Sequence, residues 1–227
     1  APITKYAHSF TDVSEVPASI ESAIQSALSG RKGPVWLDVP LDIQSAELTD
    51  VRPVSVASER QQDDMPELKD ALDLIRKAER PMFVIGHGVR IAGAAEDFRQ
   101  LSDELQIPAC FTWNAMDLLP ADDVANIGRP GTVGLRAANI ALQNCDLMIS
   151  VGCRLDNIVT SYNKQTFARS AKKLVVDVDN EELKGHGDYA DLAICQDAKI
   201  FLRALNDQLS AGDLAMTDEW TAYTTSL

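Results

Sequence analysis

Between residues 66 and 209 the chain alternates two rhythms of apolar and polar positions. Short, nearly continuous apolar runs lie at Met82 to Ile85, Pro108 to Phe111, Leu147 to Val151, Lys173 to Asp177 and Leu192 to Ile194. Between them sit segments of helical spacing: Pro66 to Ala78, Ala92 to Leu105, Arg136 to Asn144, a turn near Glu181, and Asp197 to Leu209. A strand apolar along its whole length is expected where helices cover both faces of a parallel sheet. Regular alternation of such strands with helices predicts an α/β fold, a doubly wound parallel sheet of about five or six strands.

The middle of this pattern, Gly128 to Asn163, is the densest part. A glycine-rich turn (Gly128, Gly131, Gly134) precedes the Arg136 helix, and the Leu147 strand ends at Gly152. Glycines before a helix bring backbone N–H groups near an anion, and a glycine past a strand's carboxyl end lets a ligand cross the sheet edge. Trp113 to Asn126 reads as a loop.

The two ends follow different rules. Ser14 to Ser29 has apolar positions at helical spacing, with Ser14 or Asp12 as N-cap and Gly30 past the end. A buried strand, Val35 to Val39, follows and is stopped by Pro40. One helix and one strand cannot bury their own apolar faces. Residues 1–47 therefore read as the C-terminal end of a preceding domain, with exposed apolar surface. Residues 48–65 are polar and read as a linker, residues 66–211 as the central domain, and residues 212–227, with Asp218, Glu219 and Trp220, as the start of another linker. A first residue that is Ala1 rather than Met is expected of a piece cut from a longer chain.

Composition narrows the class. With 45% hydrophobic and 24% charged residues the chain is an ordinary globular one, and its formal charge of −13 argues against nucleic acid or an anionic membrane as partner. No apolar run approaches the ~20 residues of a membrane span. The four cysteines, Cys110, Cys145, Cys153 and Cys195, form no CxxC pair. They read as buried reduced thiols, and a cytoplasmic setting follows. His8, His87 and His186 lack ligand spacing, and no nucleophile elbow is present.

Candidate chemistry collects at the ends of the strands: Gly86, His87 and Gly88; Thr112, Trp113 and Asn114; Gly152, Arg154 and Asp156; Asp177 and Asp179; Asp197. A dinucleotide laid along that edge needs glycines for approach, an arginine for phosphate and a carboxylate for ribose or adenine. Each residue also has a plain structural reading. The run GHGVRIAG is not GxGxxG, and its glycines would serve equally to turn strand into helix. Arg154 and Asp156 would serve equally as a loop ion pair, and Asp177 and Asp179 as caps.

Two segments resemble the thiamine diphosphate enzymes of the acetolactate synthase type. GRKGPVWLDVPLDIQ is similar to the segment that closes their pyrimidine-binding domain, and GTVGLRAANIALQNCDLMISVGCRLDNIVT to the core of their central domain; VVDVDNEEL and the QDA at Gln196 match the next strand ends. The resemblance implies the Rossmann-like central domain of a three-domain enzyme that decarboxylates a 2-keto acid and joins the product to a second carbonyl, as a homodimer or homotetramer using thiamine diphosphate and Mg. It also implies FAD, or ADP, in the central domain. The implied contacts are Arg31, Gly86, His87, Gly88, Thr112, Trp113, Asn114, Gly131, Gly134, Gly152, Arg154, Asp156, Val159, Asp177, Val178, Asp197 and Ala198.

The family's catalytic glutamate would fall before Ala1 and its metal-binding motif after Leu227, so this chain alone is expected to be inactive. Leu41 stands where the family usually carries a channel lysine, and Gln196 replaces a usual glycine. The first departure leaves open a parent enzyme for another 2-keto acid or an aldehyde; the second leaves the adenine end of the site tighter or lost. A module binding ADP or NAD without catalysis is the alternative, and a free-standing NAD-dependent dehydrogenase is weakened by the incomplete GxGxxG.

Overall fold

A computed structural model of the chain describes residues 3–48 and 64–227. Two compact units divide it, Ala1–Gln61 and Gln62–Leu227. The expected linker at 48–65 lies almost wholly outside the described residues.

The first unit is a strand, helix, strand crossover: β1 (Tyr6–Ser9), α1 (Val16–Leu28), β2 (Val35–Asp38), then the short α2 (Leu41–Ser45). Sequence periodicity missed β1, which is only four residues long and half polar. It pairs with β2 in parallel, Tyr6 opposite Val35 and Ser9 opposite Asp38. The helix is therefore not left with a single strand. Its start follows a short 3-10 turn whose N-cap, Asp12, accepts from the Ser14 amide at 2.8 Å, and Gly30 takes φ +47° just past its end. The expectation that Val35 to Val39 is buried is overturned: Trp36 is 65% exposed, because only alternate residues of this two-stranded sheet face α1.

The second unit carries the sheet. Its elements are α3 (Leu68–Lys77), β3 (Pro81–Ile85), α4 (His87–Ile91), α5 (Ala95–Leu105), β4 (Ala109–Phe111), β5 (Asn126–Gly128), α6 (Arg136–Asn144), β6 (Leu147–Val151), β7 (Lys172–Asp177), α7 (Asn180–Lys184), β8 (Leu192–Cys195), α8 (Ala198–Gln208) and α9 (Asp218–Thr225). The six strands are all parallel, in the order β5-β4-β3-β6-β7-β8. Counted from β3, the chain first winds outward through β4 and β5, then returns to β6 on the other side and winds outward again. That is the doubly wound order, with its switch point between β3 and β6.

Side chains alternate across the sheet, as the pleat requires. Phe83 and Ile85 of β3 join one core layer with Ile75 of α3, Leu101 of α5 and Phe201 of α8; Met82 and Val84 join the other with Ala141 and Leu142 of α6. Phe98 lies edge-on to both Phe83 and Phe111, with ring centroids 5.9 and 5.8 Å away. Covering both faces is what makes the strands apolar throughout. Trp220 of α9 is also buried in the second layer and donates its indole N–H to the Pro81 carbonyl at 3.0 Å.

Two details differ from the periodicity. The loop expected through Asn126 ends in the edge strand β5, and the helix expected from Ala92 begins only at Ala95, as α5, because Gly93 at φ +67° separates it from a further short helix, α4, that directly follows β3. Among the described residues no helix is long and apolar enough to cross a membrane.

Candidate functional site

The carboxyl ends of β3 and β6 meet at the switch point, where Ile85 pairs with Val151. Gly86 and Gly88 follow β3, and Gly152 follows β6. The Gly86 amide donates to the Val151 carbonyl at 3.0 Å, and the Gly88 amide to the Gly152 carbonyl at 2.9 Å. A Cβ on Gly86 would stand 2.1 Å from the Gly152 carbonyl oxygen, and one on Gly152 would stand 2.8 Å from the Gly88 Cα. These glycines are required by the passage of one backbone over another, which accounts for them without a ligand.

The glycine-rich turn after β5 works the same way. A Cβ on Gly131, where φ is +101°, would meet the Ile158 carbonyl oxygen at 2.1 Å, and one on Gly134 would meet the Arg129 carbonyl oxygen at 2.5 Å. The Asn139 side chain of α6 accepts from the Gly131 amide at 2.8 Å and donates to the Gly131 carbonyl at 3.0 Å. The loop after β5 is thereby locked against the loop after β6, which contains Val159 and in which the Thr132 amide finds the Ile158 carbonyl at 3.0 Å.

The charged candidates are engaged. Arg154 does not pair with Asp156: its guanidinium lies 2.7 Å from the Glu182 carboxylate of α7. Asp156 accepts from the amides of Ile158 and Val159 at 2.9 and 3.0 Å. The buried Asp177 accepts from the Asp179 amide at 2.9 Å, Asp179 caps α7, and Asp197 caps α8 through the Lys199 amide at 2.8 Å. Gln196 turns its side-chain oxygen back to the Asp197 amide at 2.8 Å. Val178 is exposed and Ala198 is buried at the first turn of α8. Arg31 and Leu41 belong to the first unit; Leu41 is 80% exposed.

Further along the edge, the loops after β3 and β4 touch. His87 Nδ1–H donates to the Asn114 carbonyl at 3.0 Å, and Thr112 donates its amide to the Ile85 carbonyl at 2.9 Å. Trp113 presents its indole 56% exposed, with the Arg129 guanidinium carbon 5.0 Å from the ring centroid. Periodicity and strand-end reasoning missed Arg129 and Asn139. The signal for Arg129 was available, as a charge inside the turn G-R-P-G directly after β5.

Other titratable groups are structural in character. Burial pushes the thiols of Cys145 and Cys153 up to about 12 and raises that of Cys110 well above the ordinary thiol value. Cys195 is exposed. The neutral His186 accepts from the Lys164 ammonium, and burial, then that ammonium, holds it below the ordinary histidine value. Among the described residues no three His, Cys, Asp or Glu side chains gather as a metal-binding group.

Residues 68–205 match the family described as the central domain of thiamine pyrophosphate enzymes. The chain is 34% identical, over 96% of its own length, to a probable acetolactate synthase large subunit of Methanocaldococcus jannaschii, of which it covers 38%. It is 33% identical over 98% of its length to the acetolactate synthase large subunit of Corynebacterium glutamicum, covering 36% of it, and 34% identical over 80% to the isozyme 1 large subunit of Escherichia coli, covering 32%. The chain thus spans under two fifths of the length of these relatives. With the six-stranded doubly wound sheet occupying the matched span, the chain belongs to the thiamine pyrophosphate enzymes, of which its second unit is a central domain.

Proposed function

We propose that the chain is part of a thiamine diphosphate-dependent 2-keto-acid decarboxylase and carboligase similar to acetolactate synthase, and that its central domain binds an adenine nucleotide, FAD or ADP, along the carboxyl edge. The observation that carries the reading is similarity to acetolactate synthase large subunits over 96% of the chain, running through both units. Thiamine diphosphate, when bound by the complete enzyme, supplies the carbon nucleophile that adds to the keto acid.

The nucleotide has a more direct counterpart in this chain. An exposed indole, Trp113, lies beside a half-buried guanidinium, that of Arg129, whose Nε has no hydrogen-bond partner. Such a pair suits a ligand that is flat at one end and anionic at the other. The loops after β5 and β6, locked together at Gly131, would hold that ligand's flank in place rather than close over it.

The test uses the complete polypeptide with thiamine diphosphate and Mg²⁺, and follows carbon dioxide release from a panel of 2-keto acids. Release from at least one is the expected result, and none from any of them would sink the reading. Purified protein carrying ADP without yellow colour would assign the nucleotide to ADP rather than FAD. Sedimentation of the complete enzyme checks the expected homodimer or homotetramer.

A further inference from the structure

Two arginines follow strands at the carboxyl edge, and they are in opposite situations. Arg154, after β6, is 61% exposed at its side chain and meets the Glu182 carboxylate at 2.7 Å. Its charge is answered. Arg129, after β5, is half-buried and pairs with no carboxylate among the described residues. One terminal nitrogen reaches only the Met116 thioether, at 3.1 Å, and the guanidinium stands over the Trp113 ring. Its Nε is buried and unpartnered.

The Nε of this guanidinium is withdrawn from water without an acceptor, and its exposed terminal nitrogens have among the described residues only a weak sulfur acceptor and a π face as company. We propose that Arg129, rather than Arg154, is the residue that holds an oxyanion of the bound ligand at this edge. The proposal rests on the nucleotide reading above and names the group within that site that takes the charge.

The arrangement is specific to arginine. A guanidinium offers planar, paired donors that match two oxygens of a phosphate or a carboxylate, which an ammonium cannot do. The residue is also held in advance: its carbonyl accepts from the Leu135 amide at 2.7 Å, and the loop behind it is clamped by Asn139 on Gly131. In a chain of net charge −13 an unanswered cation at a ligand-facing edge attracts anions locally that the surface as a whole repels. The oxyanion would be a nucleotide phosphate or the carboxylate of the keto acid, two sources of one chemistry.

The experiment titrates the 227-residue chain, and its Arg129→Met and Arg129→Lys variants, with ADP, adenosine, inorganic pyrophosphate and pyruvate by calorimetry. Loss of two charge-assisted bonds should weaken ADP and pyrophosphate about tenfold to a hundredfold in Arg129→Met, leave adenosine unchanged, and be restored only in part by Arg129→Lys. A melting midpoint of the variants near that of the native chain shows that they fold. An Arg129-dependent response to pyruvate alone would keep the oxyanion role, assign it to the keto acid and remove the nucleotide reading. ADP, pyrophosphate and pyruvate bound equally well by Arg129→Met, or none of them bound by the native chain, would overturn the proposal; in the equal-binding case the nucleotide reading survives without it.

Discussion

The amide of Gly88 donates to the carbonyl of Gly152 across 2.9 Å, and this bond joins the short helix α4 after β3 to the loop after β6 at the switch point. Both residues are glycine because the backbones cross too closely for a side chain: a Cβ on Gly88 would stand 2.7 Å from the Gly152 Cα. Gly152 carries φ +57° as well.

Gly152→Ala should therefore be destabilising by about 2–4 kcal/mol, summing a left-handed alanine and an overpacked contact. Gly187 is the control, since it has φ +51° but nothing within 4 Å of the place where a methyl group would stand. Gly187→Ala should cost only about 1 kcal/mol. Urea unfolding of the two variants separates backbone strain from contact; equal losses would mean that the crossing is looser than described.

Asn139 holds Gly131 by two hydrogen bonds from one side chain. Asn139→Ala should lower stability by about 1–3 kcal/mol, and Asn139→Asp should not restore it, because a carboxylate keeps the acceptor and loses the donor. The same variants should loosen the turn that carries Arg129. Backbone amide exchange at Gly131 and Thr132 reads that directly, and unchanged protection there would contradict the clamp.

Arg154→Ala should change stability by less than about 1 kcal/mol, because its partner Glu182 meets it on a largely exposed guanidinium. ADP affinity should fall far less than in Arg129→Met. An equal or larger fall in Arg154→Ala, measured side by side, would return the anion to Arg154.

The thiols set an alkaline limit. Cys145 and Cys153 are raised from 9.0 to about 12 by burial, so above pH 9 the unfolded chain loses protons that the folded chain keeps. Stability is therefore fully present below pH 9 and declines between 9 and 12, by roughly 1 kcal/mol per pH unit for each thiol. Chemical denaturation at pH 8 and pH 10.5 checks the slope, and Cys153→Ala should reduce it. In native protein at pH 8 an alkylating reagent should reach Cys195, the exposed thiol, while Cys110, Cys145 and Cys153 react only after unfolding.

The layered α/β architecture and the family are written locally in the chain. A strand such as Leu147–Val151 can be apolar at every position only if both its faces are covered, so its composition reports the parallel sheet before any contact is known. The spacing of the central segment carries the family in the same local way. Short or half-polar strands gave no such signal: β1, four residues with two polar, and β5, three residues beginning with Asn126, were invisible because neither is long enough to show a period.

How the residues at the strand ends are used was settled by packing alone. Gly88 and Gly152 are 64 positions apart, and nothing local to either shows that their backbones touch; that follows from β6 returning to lie beside β3. Likewise Arg154 and Arg129 are both arginines shortly beyond a strand. One has its charge met by Glu182 of a helix that follows the next strand, and the other is left against Trp113 and Met116 with a buried Nε unpartnered. Burial pattern is a property of a segment and is written in it, whereas the partner of a charge is a property of the packed whole.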